Sequence, residues 1–258
     1  MKIKITLLLW TACLFLAAGA ASAARSEDAV RFEKANRYYR EGKFQEALSI
    51  YNELAEKYPD SAPFFYNLGN SYHRTKNPGA AILAYERALL ASPRDRDIRY
   101  NLNYVRGLLE YRIEDKRNWY LGAAEKALGY FREKEVAFLA SGTFLLFAGS
   151  WAFALFFRRN FGWGNIRKTL LIFFAFFLVL WAAKKVQTHL IGEAVVMVRD
   201  AQVRYGPSET DQIAFRLGEG LKVYVLDHRE DWSRVLLTNG ESGWMKDTDI
   251  AKIHIGKG

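Results

Sequence analysis

The chain has 258 residues, half of them hydrophobic, a formal charge of +9 and one cysteine, Cys13. Cys13 lies in a segment expected to be removed, so a mature chain without a thiol excludes disulfides, thiol nucleophiles and thiolate metal sites. No block of like charge is long enough for nucleic-acid binding, and the excess of Lys and Arg is read as membrane-flanking charge.

Residues 1–24 read as a secretory signal. Lys2 and Lys4 form the positive start, 5–18 the apolar core, and Ala21-Ser22-Ala23 a small-residue cleavage site. Removing the two lysines leaves a charge of +7.

Two 34-residue units follow, 28–61 and 62–95. Superposed, they match Tyr38 with Tyr72, Ala47 with Ala81, Tyr51 with Tyr85 and Pro59 with Pro93. The second unit also carries Asn67-Leu68-Gly69-Asn70 and Ala88. The small residues let two antiparallel helices approach, the aromatics fill the space between them, and the prolines end each second helix. This pattern resembles the tetratricopeptide repeat. The first unit departs at Arg31 and Lys34, where an aromatic and a leucine are usual.

Two units cannot bury their outer faces alone. In 96–112, Ile98, Tyr100, Leu102, Val105, Leu108 and Leu109 recur at helical spacing and predict a capping helix, completing an all-α superhelix over 28–112. Asn36 and Asn70 are one period apart, as are Asn67 and Asn101. On the concave face they would form a ladder of amides suited to an extended peptide backbone, a peptide-binding groove; hydrated surface residues would give the same spacing. Phe32 and Asp97 stand where carboxylate-clamping repeats carry cations, which speaks against a carboxylate clamp.

Residues 113–135 read as a linker with an interfacial helix, on account of Trp119, Tyr120, Leu121, Leu128, Tyr130 and Phe131. Residues 136–157 then carry no charge over 22 positions, ~33 Å of helix and enough to cross a hydrocarbon core. The connector 158–168 holds Arg158, Arg159, Arg167 and Lys168 and no acid. The uncharged run 169–183 is short, but it spans if Arg167, Lys168, Lys184 and Lys185 snorkel, giving a second helix over 169–187. The positive-inside rule puts the connector in the cytoplasm and everything outside the hairpin on the other side.

Residues 192–255 show short β-branched strands, with Asn239-Gly240 as a tight turn. Val203-Arg204-Tyr205-Gly206-Pro207-Ser208, Gly218-Glu219-Gly220, Asp231-Trp232 and Gly240-Glu241-Ser242-Gly243-Trp244 occur in the order found in bacterial SH3-like domains. That resemblance implies an all-β barrel of five to seven strands that binds cell-wall peptides or proteins. Tyr205, Tyr224 and Trp232 are candidates for an exposed aromatic face, and Trp244 for the core.

No catalytic constellation emerges. His73, His189, His228 and His254 lack metal spacing, Gly218 and Gly220 are turn chemistry, and Asp227, Glu230 and Asp231 near His228 read as a solvated loop. No enzyme activity, metal or cofactor is expected.

In this order, signal, repeats, hairpin and SH3-like module together resemble the BatE-type proteins of bacterial aerotolerance operons. The resemblance implies a non-enzymatic protein of the bacterial inner membrane with both modules in the periplasm. Its partners would be a MoxR-type ATPase and membrane proteins with von Willebrand factor A domains, in an envelope complex linked to oxygen or stress tolerance. A tether whose SH3-like domain binds peptidoglycan is the alternative.

Overall fold

The computed structural model describes residues 27–156, 163–189 and 192–254. The expected signal over 1–24 and the start of the hairpin connector lie outside them. Among the described residues five helices come first: α1 (27–40), α2 (Phe44–Lys57), α3 (Ala62–Arg74), α4 (Pro78–Ala91) and α5 (Arg96–Gly107). They pack in sequence as tetratricopeptide-like helical hairpins with α5 as the last layer.

The repeat appears in the punctuation as well as in the core. Lys57 ends α2 two residues before Pro59, and Ala91 ends α4 two residues before Pro93. Pro63 and Pro78 lie in the first turns of α3 and α4, where a missing N–H costs nothing. Asn77 accepts from the Ala80 N–H, and Asp95 accepts from the Asp97 and Ile98 N–H groups, capping α4 and α5. The aromatic core is Tyr51, Phe65 and Tyr85, all buried.

Next come α6 (Trp119–Gly129), α7 (Glu133–Phe156) and α8 (Trp163–His189). Glu133–Phe153 and Gly164–Val186 are long and apolar enough to cross a membrane. Phe144 meets Phe174 (ring centroids 5.4 Å), and the Arg167 guanidinium lies 4.6 Å from the Trp151 ring. The contact moves forward along α7 as it moves back along α8, so the helices run antiparallel. Phe138, Leu145, Ile172 and Val179 point outward, as in a pair whose solvent is hydrocarbon. α8 begins at Trp163, so Arg167 and Lys168 occupy its first turns.

The repeats rest on the start of this pair. Asp60 bonds Lys134 at 3.2 Å, Arg94 pairs with Glu135, and Arg94 and Arg99 both stand 5.8 Å from the Tyr130 ring. Asp60 and Arg94 are one repeat apart, so equivalent turns of both units meet the base of α7.

The described residues after α8 hold seven strands: β1 (Gly192–Val196), β2 (Ala201–Arg204), β3 (Ile213–Leu217), β4 (Lys222–Arg229), β5 (Trp232–Leu236), β6 (Ser242–Lys246) and β7 (Ile250–Lys252). They form one antiparallel sheet in the order β3-β2-β6-β5-β4-β1-β7. The expectation of a closed barrel is corrected here: β3 and β7 are the two edges and do not pair, so the sheet is open. A helix stands at the β7 edge. Arg87 of α4 donates from Nε to the Ile253 carbonyl (3.3 Å) and from Nη2 to the Lys252 carbonyl (2.8 Å), which covers acceptors that a closing strand would otherwise use.

The strand β1 is buried on both faces. Ala194 and Val196 join the sheet's own core, while Val195 joins the core of the repeats with Ile253. In return, Leu109 and Ile113 pack on the sheet core. Repeats and sheet therefore share apolar interior.

Candidate interaction surfaces

The four asparagines form two equivalent hydrogen-bonded pairs, one repeat apart. Tyr51 donates its hydroxyl to Asn36 Oδ1 at 2.7 Å, and one period on Tyr85 donates to Asn70 Oδ1 at 2.7 Å. Asn67 Nδ2 donates to Asn36 Oδ1 at 3.1 Å, and one period on Asn101 Nδ2 donates to Asn70 Oδ1 at 3.1 Å. Burial pushes the Tyr51 hydroxyl up to about 12 and the Tyr85 hydroxyl in the same direction, so both remain donors at neutral pH. The pairs tie α1 to α3 and α3 to α5. Asn67 Oδ1, Asn70 Nδ2 and Asn101 Oδ1 make no bond among the described residues. All four asparagines are half-buried, and Tyr100 (71% exposed) and Tyr104 stand open on α5.

The three SH3-like aromatics are placed apart. Tyr205 is 72% exposed after β2. Trp232 is 8% exposed, and the Lys246 ammonium lies 5.9 Å from its ring. Tyr224 faces α6, accepting from Arg117 Nη1 (3.0 Å) and donating to Glu125 (3.0 Å). Trp244 is buried, with Arg229 over its ring at 5.2 Å.

Two junctions carry residues to which the sequence reading gave no part in joining the modules. At the first, Glu219 caps α4: its Oε1 accepts from the Gly79 N–H at 3.0 Å, a carboxylate at the positive end of a helix. Gly220 (φ +86°) sits beside it, where a Cβ would lie 2.9 Å from Ile82 and Leu109. The signal for this junction was α4 itself, whose apolar residues go all the way round and demand a cover on more than one side.

At the second junction, Lys222 lies between Glu193 (3.0 Å) and Glu125 (3.6 Å), and Arg117 bonds Glu125 (2.8 Å) and Asp115 (2.7 Å). This network pins α6 and the linker to β1 and β4. Burial alone would raise the Glu125 carboxyl, but Lys222, Arg117 and Tyr224 outweigh it and hold it below the ordinary value. Burial disfavours the Lys222 ammonium, yet Glu86, Glu193 and Glu125 hold it above its ordinary value. The Glu125 contribution to stability is thus complete above the unfolded carboxylate range near ~4.3 and fades as pH falls through the lowered value; the Lys222 contribution fades only as pH rises beyond ~10.4. The expected result is a smaller loss of Tm between neutral pH and pH ~3, below the unfolded carboxylate value of ~4.3, in Glu125→Gln than in the native chain. An identical loss in both would sink this assignment.

Ser233 Oγ donates to Asp247 (2.5 Å), which also meets His228 (3.2 Å). Here the carboxylate stands between the hydroxyl and the imidazole, and Ser233 is buried; a nucleophilic triad needs the imidazole in that place. Among the described residues no group of three or more His, Cys, Asp or Glu could hold a metal ion.

Residues 32–102 match the tetratricopeptide repeat family, and residues 198–252 match the bacterial SH3 domain family. No curated protein matches the chain. The chain is thus similar over these two segments to interaction modules of two kinds, joined here by an apolar helical pair.

Proposed function

We propose that the chain is a non-enzymatic scaffold of the bacterial inner membrane, with its repeats and SH3-like module on the periplasmic side. Its partners are von Willebrand factor A membrane proteins working with a MoxR-type ATPase in an envelope complex linked to aerotolerance or stress. The observation that carries this reading is the shared interior of the two interaction modules, which makes one docking body at the base of the apolar pair. The concave face beside Asn36, Asn67, Asn70 and Asn101 is the peptide groove in this reading: its unused amide groups meet an extended backbone, and Tyr100 and Tyr104 flank it. The exposed ring of Tyr205 favours a second reading, in which the sheet binds peptidoglycan and the chain tethers membrane to wall.

A pull-down of the tagged full chain from its native membranes separates the two. The scaffold reading expects a von Willebrand factor A protein, lost when Asn67 and Asn101 become Ala. Those changes also remove the bonds within the pairs, so Tyr51→Phe with Tyr85→Phe is the control: it loosens the pairs but keeps the amides. Loss in the control as well would mean that the groove is not the contact. Recovery of wall fragments alone, abolished by deleting 192–258, would establish the tether instead.

A further inference from the structure

A cavity of about 910 Å³ lies where the repeats, α6, the sheet and the apolar pair converge. That is within the ~300–1,000 Å³ range of small-molecule sites. Leu89 and Leu90 of α4 and Leu102 of α5 line it on one side. Ile113, Lys222 and Tyr224 line another. Its floor is Phe131, Arg132 and Glu133 at the start of α7, and Lys184 near the end of α8. Arg132 and Lys184 stand where the uncharged stretches of the two helices end, which is the depth of lipid headgroups if those helices span.

The cavity's charges are unequal in kind. Most of its acids already have cations: Glu86 pairs with Arg106, Asp115 with Arg117, Glu125 with Arg117 and Lys222, and Glu193 with Lys222. Several of its cations make no ion pair among the described residues, although Asp115 attracts Lys126 and Glu135 attracts Arg132. Arg99 donates to the Pro93 carbonyl and Arg112 to the Gly107 carbonyl. Lys126 is exposed, and so is Arg132, whose carboxylate neighbour Glu135 is taken by Arg94. A leucine-lined wall therefore sits over a cationic mouth at the membrane surface.

We propose that this cavity holds the headgroup of an anionic phospholipid from the surrounding leaflet, with Arg132 and Lys126 meeting its phosphate and its acyl chains remaining in the hydrocarbon beside α7 and α8. The proposal rests on the membrane reading of α7 and α8. A soluble phosphate-bearing molecule presents the same phosphate without the tail, so the test separates the two.

The full chain is first tested for resistance to alkaline extraction from membranes. It is then purified in mild detergent, stripped of lipid, and offered phosphatidylglycerol, phosphatidylcholine or inorganic phosphate, with bound molecules read by native mass spectrometry. The expected result is one retained phosphatidylglycerol, no retained phosphatidylcholine and no phosphate adduct. The Arg132→Gln, Lys126→Gln double variant should retain it roughly thirtyfold less, two juxtamembrane cations having been lost. An unchanged Tm in that variant shows that the effect is on binding. Extraction at alkaline pH would overturn the membrane reading and this proposal together. Membrane residence with equal retention of both lipids, or with unchanged retention in the double variant, would overturn the lipid site alone. Phosphate binding without lipid binding would assign the cavity to a soluble ligand.

Discussion

Gly220→Val is expected to detach the SH3-like sheet from the repeats while leaving each folded. Gly220 holds φ +86°, and a Cβ there would stand 2.9 Å from Ile82 Cδ1 and Leu109 Cδ2. Valine meets two penalties at once: left-handed strain of ~1–2 kcal/mol and overpacking of ~1–3 kcal/mol. The overpacking falls on the junction, against Ile82 and Leu109, and the strain on the turn before β4, where the Gly220 N–H bonds the Val196 carbonyl (2.8 Å). Hydrogen exchange is the measurement. Amides at the start of α4 should lose protection, whereas those of β1, Val223 and Val235, bonded within the sheet, should keep theirs. Retained protection at Gly79, whose N–H bonds Glu219, would show that the junction tolerates the change.

Tyr85→Ala is expected to cost about 3–5 kcal/mol, the range for deleting a large buried ring. That is a large share of a domain stability of ~5–15 kcal/mol. Tyr85 is buried, its ring fills the space above Gly69, and its hydroxyl holds Asn70. Tyr85→Phe removes only the hydroxyl, for about 1 kcal/mol. The pairing with Gly69 gives a stricter check. A Cβ at Gly69 would lie 2.7 Å from Tyr85 Cδ1 and Cε1. Gly69→Ala should therefore destabilise the native chain but be harmless in Tyr85→Ala, a non-additive cycle. Additive costs, read from unfolding of the full chain in mild detergent, would mean that the ring does not set the helix spacing.

What could be read from the residues was what repeats or alternates. The 34-residue period marks its own core and punctuation, since Tyr51 and Tyr85, or Pro59 and Pro93, do the same job twice. The asparagine spacing pointed to a row of amides, but not to the direct Asn67–Asn36 and Asn101–Asn70 bonds or to the Tyr51 and Tyr85 hydroxyls that share their acceptors, which needs the third dimension. The strands of the last module were legible from alternation and turn dipeptides. Its closure was not. An open edge differs from a closed one only in what lies beside it, and here that is Arg87, more than 150 residues earlier in the chain. The aromatics fared similarly. Alternation places Tyr224 and Lys222 outward on β4 with Glu193 outward on β1, and so they are; α6 and α4 then cover that outer face. No local pattern announces a cover supplied from elsewhere.

The contact between Arg87 and the Lys252 carbonyl joins groups 165 residues apart, and this bears on how the chain is made. Closing a flexible loop of that length costs about 4.5 kcal/mol in entropy beyond a constant term. The antiparallel pair α7 and α8 lies within that loop and folds back on itself, so its formation brings the two ends near each other and removes much of that cost. Yet β7 is the last strand made. Until β1, the Glu219-Gly220 turn and β7 have all emerged, the outer face of α4 is not fully covered, and the repeats must wait with apolar surface bare. Biogenesis therefore has an order: the repeats, then the helical pair, then the sheet that completes the interior begun by the first.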